Sequence, residues 1–326
     1  MNKNVIVTGM TGQDGPYIAK LLLEKGYKVY GLMKRYSAPN LENLDYLGIT
    51  NDVELVTGDL TDDVSINSVV KEIQPQYFIN MGAQGHVGES WKIPKQTFDA
   101  NSIGPLNCLQ AIKNESPHTR FYQASTSEMF GDACQIEEKQ NEDTPFWPNT
   151  PYAVSKLNAH WLVSVFRKAH GLFAVSGILF NHESPIRGKG FVTRKITDGV
   201  ARIKLGLEDK IILGNIDSGR DWGYVEDFIQ AIWLMLNNDK PKDYVIASGH
   251  YRTLRDLIDV AFKHIGIEDW QKHIGTNPKF WRPADTKRMY GDSTRARQEL
   301  GWEPKTSFED MIKIMVDEDI KRLESE

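Results

Sequence analysis

The feature that most constrains the fold is a glycine run close to the N-terminus, Thr8-Gly9-Met10-Thr11-Gly12-Gln13-Asp14-Gly15. It follows an apolar stretch at residues 5–8 and leads into an amphipathic one at 17–24. Gly9 permits a tight turn, Gly12 lets the backbone approach a pyrophosphate, and Gly15 lets a helix close on the strand. The helix N-terminus then offers unpaired N–H groups to phosphate. Three glycines alone describe a flexible loop equally well. The strand–turn–helix setting selects dinucleotide binding, with Gly9, Thr11, Gly12, Gln13, Asp14 and Gly15 as the cofactor-binding segment.

The rest of the first half repeats this alternation. Strand-like runs occur at 28–33, 53–57, 77–81, 121–124 and 174–179, separated by helical patterns at 64–73, 97–113 and 152–170. Alternating strands and helices predict an α/β fold, a doubly wound parallel Rossmann sheet with helices on both faces. After about residue 180 the rhythm breaks and Gly and Pro become frequent. Helices are expected at 193–205, 225–236, 254–265 and 308–323, and a strand at 244–247 is expected to return to the main sheet. Residues 1–180, with a return segment at about 222–250, form the expected dinucleotide-binding domain; 181–326 form a smaller, interleaved mixed α/β substrate lobe.

Composition excludes several alternatives. A net charge of −5 argues against a nucleic-acid binder, which would present a basic face. Two cysteines, Cys108 and Cys134, make no disulfide framework or zinc site. His182-Glu183 runs into Ser184-Pro185, so it is not a zincin motif, and no metal is expected. No apolar run reaches the ~18 residues of a membrane span. The opening strand leaves no room for a signal peptide, and a cytoplasmic location is expected.

The glycine spacing resembles that of extended short-chain dehydrogenase/reductases. That resemblance implies adenine contacts at Asp59 and Leu60, after the third strand, and backbone contacts along Gly82-Ala83-Gln84. The second strand ends Met33-Lys34-Arg35, without the carboxylate that binds a ribose 2′-hydroxyl. NADP is therefore expected, with Arg35 on its 2′-phosphate; the other reading is two solvated charges on a loop.

Tyr152 and Lys156 stand four apart on an expected helix and share a face. A lysine cation there would lower the phenol's pKa toward a usable base. The spacing alone is common, and Tyr30 and Lys34 have it too. The position of the second pair, behind the fifth strand and Pro148-Asn149-Thr150-Pro151, gives it meaning. That strand ends Ser125-Thr126-Ser127-Glu128. Thr126 offers a hydroxyl, and Glu128 a carboxylate able to take a proton from carbon beside a carbonyl. Alternatively, Glu128 is a solvated loop residue or a helix cap.

The blocks STSEMFG, TPYAVSK, GILFNHESP, GFVTRK, GRDWGYVEDF, YVIASG and WRPAD occur in the order seen in GDP-mannose 4,6-dehydratases, which the chain resembles over nearly its whole length. The resemblance implies a redox-neutral lyase. Tyr152 takes the proton of the sugar 4-hydroxyl while NADP accepts hydride; Thr126 and Lys156 tune this step. Glu128 then removes the carbon-5 proton, water leaves carbon 6, and hydride returns there. Related glucose dehydratases carry an aspartate general acid where this chain has Ser127, so Glu128 would also protonate the leaving hydroxyl. Asn181, Thr193, Lys195, Arg220 and Arg282 would hold the GDP-sugar, with Asp285 near its ribose. The resemblance also implies a homodimer or homotetramer. Gly85 and Asn149-Thr150 depart from the family's usual serine and Arg-Ser, which leaves mannose and a heptose as alternative sugars. A GDP-4-keto-sugar reductase or epimerase, which generally lacks the Thr-x-Glu arrangement, and a non-catalytic NADP-binding regulator are the rival classes.

Overall fold

The computed structural model describes residues 3–35, 40–135, 138–277 and 289–325. Its first half runs β1 (Asn4–Thr8), α1 (Asp14–Glu24), β2 (Lys28–Met33), α2 (Glu42–Leu47), β3 (Glu54–Thr57), α3 (Asp63–Ile73) and β4 (Tyr77–Asn80). Two short helices, α4 (Val87–Ser90) and α5 (Pro94–Phe98), precede α6 (Gly104–Glu115), β5 (Arg120–Thr126), α7 (Pro151–His170) and β6 (Ala174–Leu179). The second half begins with β7 (Asn181–Glu183), α8 (Val192–Lys204), β8 (Ile211–Leu213), β9 (Gly219–Tyr224) and α9 (Val225–Leu236). It ends with β10 (Tyr244–Ile246), β11 (Tyr251–Thr253), α10 (Leu254–His264), β12 (Ile274–Thr276), α11 (Thr294–Leu300) and α12 (Phe308–Ser325).

Seven strands form one sheet in the order β10-β6-β5-β4-β1-β2-β3, with every neighbouring pair parallel. The winding reverses between β1 and β4, so a crevice opens at their carboxyl ends, where such sheets bind ligands. Interior strands of a parallel sheet are covered on both faces and must be apolar. β6 is accordingly buried along its whole length. α1 and α9 cover one face through Ile18, Leu22, Phe228 and Ile232; α3 and α6 cover the other through Ile66, Val70, Leu109 and Ile112.

The lobe has its own core, in which α8, α10 and α12 bury Ile196, Val200, Leu257, Phe262, Met311 and Met315. Each such side chain contributes about 2 kcal/mol. Two small sheets, β11-β9-β7 and β12-β8, complete it. These strands of three to six residues carry too little alternation to be read from the sequence.

One expected helix is broken. Residues 97–113 read as continuous, yet a π-helical turn, Asp99–Ile103, separates α5 from α6. Gly104-Pro105 opens α6, and proline has no N–H to continue the hydrogen-bond ladder.

Candidate active site

β5 delivers Thr126, buried, to the carboxyl edge of the sheet. The chain then tightens into a 3-10 segment, Ser127–Gln135. Met129 and Phe130 anchor this segment in the core. Gly131 turns it with φ 48°, where a Cβ would meet the Trp147 carbonyl oxygen at 1.9 Å. Glu128 stands half-buried at its start, and its N–H donates to Thr126 Oγ1 at 3.2 Å.

α7 is fixed at both ends by local chemistry. Thr150 caps it by accepting from Ala153 N at 3.0 Å, Pro151 occupies the first turn, and Gly171 closes it in the left-handed region. Tyr152 thereby falls in the first turn and Lys156 one turn later, both buried. The Thr126 hydroxyl stands near enough to the Tyr152 phenol to pull its pKa down. Lys156 Nζ donates to the Ala124 carbonyl at 2.9 Å.

The phenol is not lowered as the tyrosine–lysine spacing suggested. Burial, reinforced by the Glu128 charge, pushes Tyr152 up to about 12 against the opposing Thr126 hydroxyl and Arg187 charge. Burial also brings Lys156 down to about 8, so the lysine itself resists carrying its charge.

The π-helical turn braces this centre. Asn101 Oδ1 accepts from Gln84 N at 2.8 Å, while its Nδ2 donates to Gln84 O and Ser155 Oγ, both at 3.1 Å. Ser90 Oγ accepts from Tyr152 N at 3.3 Å. Asn149 Nδ2 donates to Asp132 at 3.1 Å, and its Oδ1 is buried without a hydrogen-bond partner among the described residues. At Gly85 an added Cβ would meet nothing within 4 Å.

The glycine loop is as tight as its sequence requires. A Cβ on Gly15 would lie 2.4 Å from Gly9 O, and Gly9 itself adopts φ 76°. α1 has no side-chain cap, leaving its first N–H groups for a ligand. Asn43 of α2 holds the loop by donating to Thr11 O at 3.1 Å and Gly12 O at 2.8 Å. Gln13 and Asp14 belong to the loop by backbone, but their side chains engage β7 and the residue that follows it. Gln13 donates to His182 O at 3.0 Å and accepts from Ser184 Oγ at 2.8 Å.

Asp14 Oδ1 lies 3.0 Å from His182 Nε2, and His182 Nδ1 lies 2.8 Å from Phe180 O. Both ring nitrogens thus face oxygen acceptors, an arrangement only the imidazolium satisfies. Burial works to lower His182, but the Asp14 charge and these hydrogen bonds hold it above its ordinary value. Burial likewise works to raise Asp14; the His182 charge and hydrogen bond, Gln13 and Arg187 bring it down to about 2.

Arg187 escaped the sequence reading. Its Nε lies 3.2 Å from Glu183 Oε2, its guanidinium stacks 3.6 Å over the Phe191 ring, and His86 stacks against Phe191 at 4.9 Å. This stack joins the loop after β4 to the start of α8. Arg187 could have been noticed as the cation closing the block FNHESPIR.

At the end of β2, Lys34 pairs with Asp59 at 3.1 Å and Arg35 is exposed. Asp59 also accepts from Thr61 N and Thr61 Oγ1, both at 2.9 Å, so its carboxylate is engaged locally. Leu60 O accepts from Asn107 Nδ2 at 2.8 Å. In the lobe, Asn181 opens β7 half-buried, and Arg220 lies half-buried on β9. Thr193 is buried and gives its hydroxyl to Glu183 Oε2 at 2.7 Å. Lys195 is exposed beside a cavity of about 360 Å³ whose walls include Lys189, Arg194 and Lys210. Arg282 and Asp285 lie outside the described residues. Among the described residues no group of His, Cys, Asp or Glu could hold a metal, neither cysteine forms a disulfide, and no helix is long and apolar enough to cross a membrane.

Known proteins are similar to this chain over nearly its whole length. GDP-mannose 4,6 dehydratase 1 of Arabidopsis thaliana is 43% identical over 329 residues, 98% of this chain and 90% of that protein. The human GDP-mannose 4,6 dehydratase is 41% identical over 340 residues, 97% and 91% of the two chains. The solved dTDP-glucose 4,6-dehydratase of Bacillus anthracis, in complex with NAD, is similar with a TM-score of 0.82 at 25% identity, covering 98% of this chain and 97% of that one. A family model described as GDP-mannose 4,6 dehydratase matches residues 6–315, and the chain belongs to that family.

Proposed function

We propose that the chain converts GDP-mannose to GDP-4-keto-6-deoxymannose, with Thr126, Glu128, Tyr152 and Lys156 as its catalytic residues. The observation that carries this reading is the grouping of Thr126, Glu128 and Tyr152 at the sheet's carboxyl edge, where the Glu128 backbone N–H meets the Thr126 hydroxyl and the Glu128 charge is felt by the Tyr152 phenol. A nicotinamide dinucleotide fits the chain: the uncapped N-terminus of α1 and the close Gly9–Gly15 approach suit a pyrophosphate, and the solved relative carries NAD. When bound, it would take hydride from carbon 4 and return it to carbon 6. The absence of a carboxylate at the end of β2 favours NADP, with Arg35 on the extra phosphate.

The protein's own groups divide the proton work. Tyr152 accepts the proton of the sugar 4-hydroxyl, helped by the Thr126 hydroxyl and the Arg187 charge, which both pull the phenol down. Lys156 supplies a buried amine one turn away. Once carbon 4 is a carbonyl, the carbon-5 proton becomes acidic enough for a positioned carboxylate to remove. Ser127 is buried and cannot serve as an acid, so Glu128 also protonates the departing hydroxyl. Asn181, Lys195 and Arg220 hold the GDP end, joined by Arg282 and Asp285. Thr193 acts there through Glu183.

Open space at Gly85 favours one second reading, a heptose in place of mannose. We also infer a cytoplasmic homo-oligomer. Val154, Trp161 and Val165 form one stripe on α7, 41%, 52% and 53% exposed, an apolar strip on which a second copy could pack.

Incubation with GDP-mannose and NADP, followed by mass spectrometry, tests the reading. Loss of one water, abolished by Glu128→Gln, supports it. Turnover of a GDP-heptose alone would move the sugar assignment, and NADPH consumption on a 4-keto substrate without dehydration would replace it with a reductase.

A further inference from the structure

β4 and β5 are interior strands, where aliphatic side chains pack best. Asn80 and Gln123 break that rule, being 0% and 1% exposed. Their side chains form one directed chain of hydrogen bonds. Gly82 N donates to Thr8 Oγ1 at 2.8 Å, and Thr8 Oγ1 donates to Asn80 Oδ1 at 2.7 Å. Asn80 Nδ2 donates to Gln123 Oε1 at 2.8 Å, and Gln123 Nε2 donates to Ala124 O at 3.0 Å. That carbonyl is the one that receives Lys156 Nζ at 2.9 Å.

The series crosses three adjacent strands, from the residue before Gly9 to the amine on α7. Its polarity is unique. The Gly82 N–H makes Thr8 an acceptor, so its hydroxyl proton points to Asn80; each amide then has one orientation that satisfies both neighbours. Well-packed aliphatic residues at both sites would hold the sheet at no loss, because a paired buried amide gains little net stability. The rail does what aliphatics cannot: it fixes the Ala124 carbonyl that anchors the lysine.

We propose that Asn80 and Gln123 are positioning residues for Lys156, setting the place of its amine and the pH range in which it stays charged. This rests on the reading of Lys156 as a catalytic group. No proton moves along the rail, since amide donors and a carbonyl end it.

The test compares the parent enzyme with Asn80→Leu/Gln123→Leu, Asn80→Asp and Lys156→Ala. For each, kcat and KM for GDP-mannose are measured from pH 6 to 10, together with Tm. The double variant removes both partners and so leaves no unpaired amide between them. Asn80→Asp still accepts from Thr8 but cannot donate to Gln123, so the Gln123 amide must turn its oxygen toward Ala124 O.

Both rail variants should keep KM within about twofold and lose kcat by about tenfold or more, as a slightly misplaced group does. The alkaline limb of kcat should move about half a pH unit downward, because the ammonium has lost its fixed acceptor. A parent-like kcat and alkaline limb in both variants, with Lys156→Ala inactive, overturns the rail and leaves the lysine reading standing. An active Lys156→Ala overturns both. Should the double variant fail to fold, Asn80→Asp decides alone: loss of Tm with unchanged kcat and pH limb means the rail is only structural.

Discussion

Replacing Asp14 by Asn tests the ion pair that ties the glycine loop to His182 of β7. The Asp14 carboxyl is held at about 2 against an ordinary 3.8, chiefly by the His182 cation once burial is overcome. A displacement of that size is worth about 2 kcal/mol. The sign differs for the two partners. Asp14 is depressed, so its contribution is present above about pH 4 and is lost as pH falls through about 2. His182 is raised above 6.5, so its contribution is present below that value and is lost as pH rises through the higher folded value. Both are fully present only between about pH 4 and pH 6.5. In that window Asp14→Asn should cost about 2 kcal/mol, which in a chain of this size is about 3 °C in Tm. As pH rises through the raised His182 value the parent imidazole gives up its proton, and the gap should shrink. Thermal melts of the two proteins at pH 5.5 and pH 9 read this directly. An equal gap at both pH values would refute a charged His182 in the folded protein.

Three further outcomes are expected. Arg194→Met should lower the urea-unfolding free energy by about 3–5 kcal/mol, because Asp319, 1% exposed, would keep Thr197 and Arg322 but lose its buried arginine partner. Arg35→Asp should reverse the cofactor preference in titrations with NADP and NAD, weakening NADP by about tenfold or more relative to NAD; unchanged relative affinities would remove Arg35 from the phosphate. Trp161→Glu/Val165→Glu should reduce the sedimenting mass to that of one 37.1 kDa chain without loss of Tm; an unchanged mass would place the contact elsewhere.

Much of the site was legible because it is built on local signals. The glycine spacing, the Thr150-Pro151 start of α7 and the four-residue step from Tyr152 to Lys156 each lie within one turn or one loop. The motif blocks carried the family in the same way. The pairings that eluded reading act over distance. Asp14 meets His182 168 positions away, Asn101 reaches Ser155 54 positions on, and Asn80 meets Gln123 across 43. No periodicity encodes such pairs; they exist because β1, β4, β5 and β6 lie in one sheet and bring the segments after them together.

The same holds for charge. Spacing placed a lysine beside Tyr152, but the phenol's rise to about 12 came from burial and from Glu128, which the spacing does not register. Short-range sterics and capping write the parallel layering, the glycine loop and helix α7 directly into the residue order. Which polar groups are buried together follows from packing across the sheet, and desolvation then sets which of them carry charge.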